Sequence, residues 1–507
     1  MKPFWILIIL SLFGGFYTAQ AQTVLERRMV LSSAVENEVF SLVFDNPAMK
    51  YLQHTTTLNA LHLGGEYQKE DLPTLMQEGD GLRFGSVNVS SYIHKKNNSL
   101  WGQAYYKNGE KLGRCWNETS DYKLLYPYVM GDTLGGDLKS EQYFFKGGYA
   151  GNIGKYLVGV EGAYKATIEY RNADPRPKNL TGDLNIRLGL SRYLGDDFVL
   201  GTAFSARKYK QTNDLVFYNE LGVPNIYHFT GLGTDYYRFR GAKGESFYKG
   251  HAFGGSIDLL PVQKKGISAA LHYTHFQFEK VISTLNELPM ASVKENDIRT
   301  ELAWRQQSGS EWRWGIKGAA QYVRRVGAEN LFGPSTGNIF PQISTQEKYM
   351  NKVFAVDGSG VLEYISAKGV RATLLPRLGF VKIETSYNSP SKQMKVAMLQ
   401  PDIRFRLDYP CQQWLLSCEA GAVARFNVDS QLDIQNGVRP TDQSLTIPVQ
   451  SNYDALKATR GGGHLQIRTD YSWNTKYAVY LAMQYQYSKD RRTSVSHYVG
   501  GQIGFLF

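Results

Sequence analysis

Along most of the chain, apolar and polar residues alternate one by one. In YAVYLAMQYQYS, Tyr477, Val479, Leu481, Met483, Tyr485 and Tyr487 form one face, and Ala478, Ala482, Gln484, Gln486 and Ser488 dominate the other. DIRFRLDY sets Ile403, Phe405, Leu407 and Tyr409 against four charges, Asp402, Arg404, Arg406 and Asp408. HLQIRTDYSW places His464, Gln466, Arg468 and Asp470 opposite Leu465, Ile467, Tyr471 and Trp473. NDIRTELAWR and EWRWGIKGAAQY oppose Arg299, Glu301, Arg305, Arg313 and Lys317 to Ile298, Leu302, Trp304, Trp312, Trp314 and Ile316. Period two predicts β-strands with one apolar and one polar face.

A soluble sandwich alternates in the same way, but three features favour an all-β transmembrane barrel. The pattern continues without a linker from about Thr56 to the last residue, longer than one sandwich domain. Aromatics gather at the ends of apolar faces, as Trp473, Tyr487, Trp312 and Tyr409 do, in the manner of interfacial girdles. The connections also alternate in length. Short turns are expected at Lys95–Asn98, Asn152–Gly154, Gly195–Asp196, Pro261–Lys265, Ser308–Ser310, Ala367–Lys368, Pro410–Gln412 and Asn474–Thr475. Between them fall connections of variable length, long at Gly109–Asp137, Gln211–Ala242, Gly327–Gln342 and Asp433–Asp454. An antiparallel up-and-down barrel has tight turns at one end and variable loops at the other. Counting from a first strand near Thr56–Tyr67 gives about 18 strands, with 16 or 14 as the alternatives.

Composition agrees: 13% aromatic residues, 34 Tyr and 50 Gly among 507 residues favour strands and turns. Mean hydropathy is −0.36 and gives no sign of a membrane protein. Residues 1–21, with Lys2, an apolar run from Phe4 to Phe13 and Ala19-Gln20-Ala21, read as a cleaved signal peptide. No later apolar stretch is long enough for a membrane-spanning helix. Loss of Lys2 with the leader takes the net charge from +11 to +10. Cys115, Cys411 and Cys418 are too few and scattered for a disulfide framework. Residues 22–53 lack the alternation and contain a turn at Asp45-Asn46-Pro47-Ala48. They are expected to form a periplasmic or plug-like segment partly inserted in the barrel of residues 54–507.

The leader, the paired strands and the ending HYVGGQIGFLF together resemble bacterial outer-membrane β-barrel proteins. In that group the last strand carries a signal for the insertion machinery, and Phe505 and Phe507 occupy its aromatic positions. Gly500 fits the first position, and Gln502 stands where the inner glycine is expected. Tyr126–Asp137, YPYVMGDTLGGD, followed by Glu141 and Gly147-Gly148-Tyr149, resembles a Bacteroidota outer-membrane barrel family of unknown function and about this length. Asn46-Pro47-Ala48 is similar, more weakly, to the N-terminal region of long-chain fatty-acid channels. The resemblance implies a location in the outer membrane of a Gram-negative cell and contact with its lipid. Other envelope proteins are candidate partners.

Gly358-Ser359-Gly360 lies within a strand and reads as small residues at a bend, not a nucleophile elbow. His272 and His275 stand three apart on a strand and so point to opposite faces, one to the lumen and one to a girdle. Gly461-Gly462-Gly463 has no strand–loop–helix context for phosphate and reads as a kink. No enzyme activity, metal, cofactor or nucleic-acid partner is therefore expected. The inward charges are the candidate lumen lining: Arg187, Arg299, Glu301, Arg305, Arg313, Lys317, Asp402, Arg404, Arg406, Asp408, Arg468 and Asp470. They fit either a porin-like wet pore for small solutes or a salt-bridged, closed barrel with a structural or partner-docking role. TonB-dependent transporters, with 22 strands and a large plug domain, do not fit.

Overall fold

The computed structural model describes residues 22–31, 34–219, 225–241, 245–306, 311–337 and 339–507. Residues 1–21, read as a leader, and the turn expected at Ser308–Ser310 lie outside them. Eighteen antiparallel strands close into one barrel. They are β1 Leu58–Glu70, β2 Gly81–His94, β3 Asn98–Arg114, β4 Gly136–Ile153, β5 Tyr156–Tyr170 and β6 Arg176–Leu194. Next come β7 Phe198–Val216, β8 Ser246–Pro261, β9 Gly266–Ile282, β10 Leu288–Arg305, β11 Trp312–Phe332 and β12 Gln342–Ile365. The last six are β13 Arg371–Tyr387, β14 Lys392–Cys411, β15 Trp414–Asp433, β16 Arg460–Ser472, β17 Ala478–Asp490 and β18 Val495–Leu506.

Each strand pairs with its neighbours in sequence, and β18 closes on β1 from Ala60↔Leu506 to Glu70↔Ser496. Asn59 and Phe507 exchange backbone hydrogen bonds of 2.9 and 3.1 Å, so the seam is paired to its last residue. Closure leaves no strand edge unsatisfied, a condition for any sheet that faces lipid.

Outward faces carry the apolar residues of the alternation. Leu481 is 55% exposed, and Ile403, Phe405, Leu407 and Tyr409 are exposed in a row along β14. At the turn end, cross-strand aromatic pairs mark a rim: Trp304–Trp314 at 4.7 Å, Trp312–Tyr364 at 4.9 Å and Trp414–Tyr471 at 4.6 Å. Strands of 12–24 residues exceed the roughly 9–11 that cross a bilayer. Towards the loop end the two faces exchange character. In β9, Leu271 and Tyr273 point outward, but further along His275, Gln277 and Glu279 take the outward positions while Phe276 and Phe278 are buried inside. In β13, outward Leu378 gives way to the Lys382–Glu384 ion pair of 2.6 Å. A uniformly polar inner face was expected. It fails there because the inner wall packs against folded loops, which cover Phe276 and Phe278.

Candidate functional site

Both ends of the lumen are occupied by the chain itself. At the turn end, α1 (Gln22–Leu31), α2 (Ala34–Val39) and two 3-10 turns, Val43–Asp45 and Met49–Leu52, travel round the inside of the wall. They meet the strands in reverse order. Val24 and Leu25 pack on Leu415, Ala478, Tyr480 and Leu506. Arg28 bonds Ser417 Oγ at 2.8 Å and pairs with Asp470 at 3.3 Å, and Arg371 donates to the Met29 carbonyl at 2.8 Å. Glu38 pairs with Arg404 at 3.3 Å. Ser41 Oγ and the Leu42 N–H donate to the Glu301 carboxylate at 2.9 and 3.2 Å. Asn46 Nδ2 donates to Asp258 at 3.0 Å, and Lys50 pairs with Glu161. Tyr92 Oη then donates to the Lys50 carbonyl at 2.6 Å, beside β1 where the circuit ends. The result is a collar one chain thick.

Two devices seat this collar. Inward aliphatics at the strand ends, among them Leu157, Val199, Leu260, Val361 and Leu375, cluster with Val39, Phe40, Val43, Phe44 and Met49. Glycines then let the backbones approach. A Cβ on Gly159 would lie 2.3 Å from the Ala48 nitrogen, and one on Gly189 would lie 2.2 Å from Asn46 Oδ1. Asn46 Oδ1 also accepts the Ala48 N–H at 3.0 Å, so Asn46-Pro47-Ala48 is a turn pressed against the wall.

Each charge proposed for the lumen lies on the inner face of its strand, and ion pairs absorb most of them. Arg187 stands 3.7 and 3.8 Å from Asp45 and Glu161, and Arg299 pairs with Asp297 at 2.7 Å. Lys317 meets Glu301 at 3.5 Å, Arg313 meets Glu363 at 3.9 Å, and Arg305 donates to the Lys264 carbonyl at 3.1 Å. Arg404 is 3.9 Å from Asp402. Arg406–Asp408 and Arg468–Asp470, at 3.1 and 2.6 Å, come together with Arg28 and Ser417 in one cluster. Arg187 and Arg299 are not part of it. The set therefore behaves mainly as the collar's seat, with Arg299, and outside the set Arg377, left half-exposed on the inner face. Sequence reasoning missed Glu161, Asp258 and Glu363. An isolated acid among apolar residues, as in GGSIDLLP, is the signal that could have found Asp258. Phe505 and Phe507 stack at 5.5 Å beside Trp473 and Tyr477 on the outer rim.

The residues tested for catalysis and metal binding take structural positions. His272 Nε2 lies 2.8 Å from Asp258 on the inner face, and His275 bonds Asn296 at 2.9 Å on the other. Gly360 faces Pro376, where the β12–β13 ladder is interrupted. Gly462 lies against the Tyr487 carbonyl, which a Cβ would approach to 2.4 Å. Among the described residues no group of three His, Cys, Asp or Glu could hold a metal.

At the loop end, residues 115–135, which include the short helix α3 (Tyr122–Leu125), fold down into the mouth. The connections expected to be long at Gly109–Asp137 and Gln211–Ala242 turn partly inward: among their described residues Tyr128, Val129, Met130, Ile226 and Leu232 are buried, while Leu134, Tyr218 and Tyr237 stay exposed. The physical reason is their aromatic and aliphatic content, which finds cover only inside the wall. Tyr209 Oη donates to Asp121 at 2.9 Å, Tyr248 Oη to the Tyr128 carbonyl at 3.0 Å, and Lys280 Nζ to the Val129 carbonyl at 3.1 Å. Arg171 binds both Glu118, at 2.7 Å, and Asp132, at 3.4 Å. Burial and the neighbouring Asp132 push the Glu118 carboxyl well above its usual range. Burial opposes the Asp132 carboxylate too, yet the Glu118 side chain, the Gly135 and Leu134 N–H groups and Arg171 hold it below its usual value. A helix, α4 (Ile447–Lys457), enters the barrel and lays Tyr453 over Val396 and Met398. Between this roof, α4 and the wall of β10–β14 lies a cavity of about 420 Å³.

Residues 47–507 match a family of unknown function, DUF6850. The chain belongs to that family. The matched region covers the whole barrel and enters the collar at Pro47, so family membership agrees with the barrel family without assigned activity expected from YPYVMGDTLGGD. No curated protein matches this family member by sequence. Solved structures that are similar include BauA, the ferric preacinetobactin receptor of Acinetobacter baumannii: 8% identical, covering 89% of this chain and 80% of that one, TM-score 0.40. The copper transporter OprC is 9% identical over 88% of this chain and 81% of its own, TM-score 0.40. A bacterial polysaccharide outer membrane secretin is 11% identical over 89% and 98%, TM-score 0.35. The likeness is one of barrel fold.

Proposed function

We propose that this protein is an outer-membrane channel for the passive passage of small solutes, with the collar of residues 22–53 controlling its turn-end mouth. The carrying observation is the way the collar is held. It follows the wall as a single layer and is seated by side-chain hydrogen bonds and ion pairs on Glu161, Asp258, Glu301 and Asp470, an arrangement that local rearrangement can release. The outward apolar band with its aromatic rim supports residence in a bilayer, and the two-face alternation supports a hydrated interior. Phe505 and Phe507, on the outer rim, serve as the aromatic motif offered to the insertion machinery.

The test is planar-bilayer conductance of three purified proteins: the intact chain, a chain lacking residues 22–53, and Gly159→Leu. Leucine at Gly159 meets backbone rather than a flexible side chain, so it dislodges the collar without shortening the chain. Both altered proteins are expected to show a larger unitary conductance than the intact one. Equal conductance in all three would overturn control by the collar, and absence of current in all three would overturn the channel.

A further inference from the structure

We propose that the cavity beneath the loop roof binds an uncharged, predominantly apolar small molecule, the class of solute that the channel carries; this rests on the channel reading above. About 420 Å³ is within the range of small-molecule sites. One wall is an unbroken apolar row on the inner face, because Val323, Val353 and Ile383 are adjacent in register across β11, β12 and β13. Aliphatic residues on the inside of a wet barrel lose free energy unless something covers them. The same row continues to Val396, which pairs with Ile383 and is buried beneath Tyr453. Val323 and Val353 instead border open volume, faced by Trp116, Tyr126, Phe229 and Leu445.

The polar lining groups are already satisfied. Arg325 bonds Glu295 at 2.6 Å and the Lys123 and Tyr126 carbonyls at 3.0 and 2.8 Å. Asn351 donates to Thr385 at 2.7 Å, Asn452 to Gln77 at 2.8 Å, and Lys123 pairs with Glu78 at 2.7 Å. An ionised ligand would lose its hydration with no unpaired counter-charge to meet it. A neutral one with an apolar body would gain the covered area of the row and the aromatic faces opposite.

The position of Trp116 makes this measurable. The other tryptophans among the described residues, Trp101, Trp304, Trp312, Trp314, Trp414 and Trp473, lie towards the turn end. The full chain in nanodiscs is titrated with the neutral fluorophore 1-N-phenylnaphthylamine, and energy transfer from Trp116 is taken as the difference from Trp116→Phe. A saturable component is expected, displaced by naphthalene and not by naphthalene-2-sulfonate. Val353→Arg and the uncharged, volume-filling Val353→Phe should each weaken it about tenfold, with barrel folding verified by heat-modifiable gel migration. No saturable Trp116 component, or one that either folded variant leaves unchanged, would overturn the site. Displacement by the sulfonate as readily as by naphthalene would overturn the neutral class. Saturable binding alongside zero conductance in every protein of the bilayer test would sink the channel and keep the site; conductance without binding would do the reverse.

Discussion

Glu118 is the residue on which the loop-end roof turns. Its backbone carbonyl accepts from Asn179 and Asn213 at 2.8 and 2.6 Å, and its side chain shares Arg171 with Asp132. One guanidinium faces two buried carboxyl groups, and burial with the neighbouring Asp132 raises the Glu118 carboxyl well above its usual range. A carboxyl whose folded pKa is raised stabilises the fold fully below its unfolded value, and that contribution is lost as pH rises through the folded value. Asp132, held low, contributes above its own unfolded value and loses that contribution as pH falls through the folded one. Protection of residues 115–135 from proteolysis or hydrogen exchange is therefore expected to be greatest at mildly acidic pH and to fall towards alkaline pH. Glu118→Gln, which carries hydrogen-bonding capacity without a titrating proton, should flatten the alkaline limb. An unchanged limb in that variant would place the titrating group elsewhere.

Within the strands, exposure fixes the two faces. Leu481 and Ile467, 55% and 44% exposed, lie in the apolar band, while Gln484 sits on the opposite face of β17. A charge at Leu481 or Ile467 should cost about 2–4 kcal/mol near the midplane, read as a loss in reversible folding into lipid vesicles. A charge at Gln484 should cost much less, and equal losses would reject the facing. Alternation in the lower strands was legible because their outer face is apolar and their inner face polar over many residues. Higher up the pattern shifts: in LHYTHFQFEKVI the apolar register moves from Leu271 and Tyr273 to Phe276 and Phe278, while His272 and His275 face opposite sides as their spacing requires. That slip marks the point where the outward apolar band ends and the folded loops cover the inner face, and period two alone does not distinguish it from an irregular strand.

For the whole molecule, the collar converts a wide barrel into one occupied at both ends. An 18-strand barrel has more interior than its own inward side chains fill. Here residues 22–53 occupy one mouth, and the inserted loops with α4 occupy the other. Release of the collar would open its polar contacts and the apolar clusters around Val24 and residues 39–49, whereas the loop end is held by a broader aromatic cluster that includes Trp116, Tyr128 and Tyr248. Removing residues 22–53 is accordingly expected to leave barrel folding unchanged, with heat-modifiable migration equal to that of the intact chain. Loss of that migration would show the collar to be part of the folding unit.

The sequence by itself determined the barrel. A count of about 18 strands with 16 or 14 still open, closure of β18 on β1, the outward apolar faces and the separation into a turn end and a loop end all follow from residue-by-residue polarity and turn spacing, which are local and repeat many times. It also placed twelve charges on inner faces, because a charge on a strand can face only one way, but it passed over Glu161, Asp258 and Glu363. What those charges meet was decided by tertiary structure alone. Glu301 holds Ser41, Asp470 holds Arg28, and Val353 lies beside Val323 and Ile383 through contacts between residues distant in the chain. Such contacts leave no period in the sequence, so the seats of residues 22–53 along the wall and the chamber at the other end became visible only when the wall had closed around them.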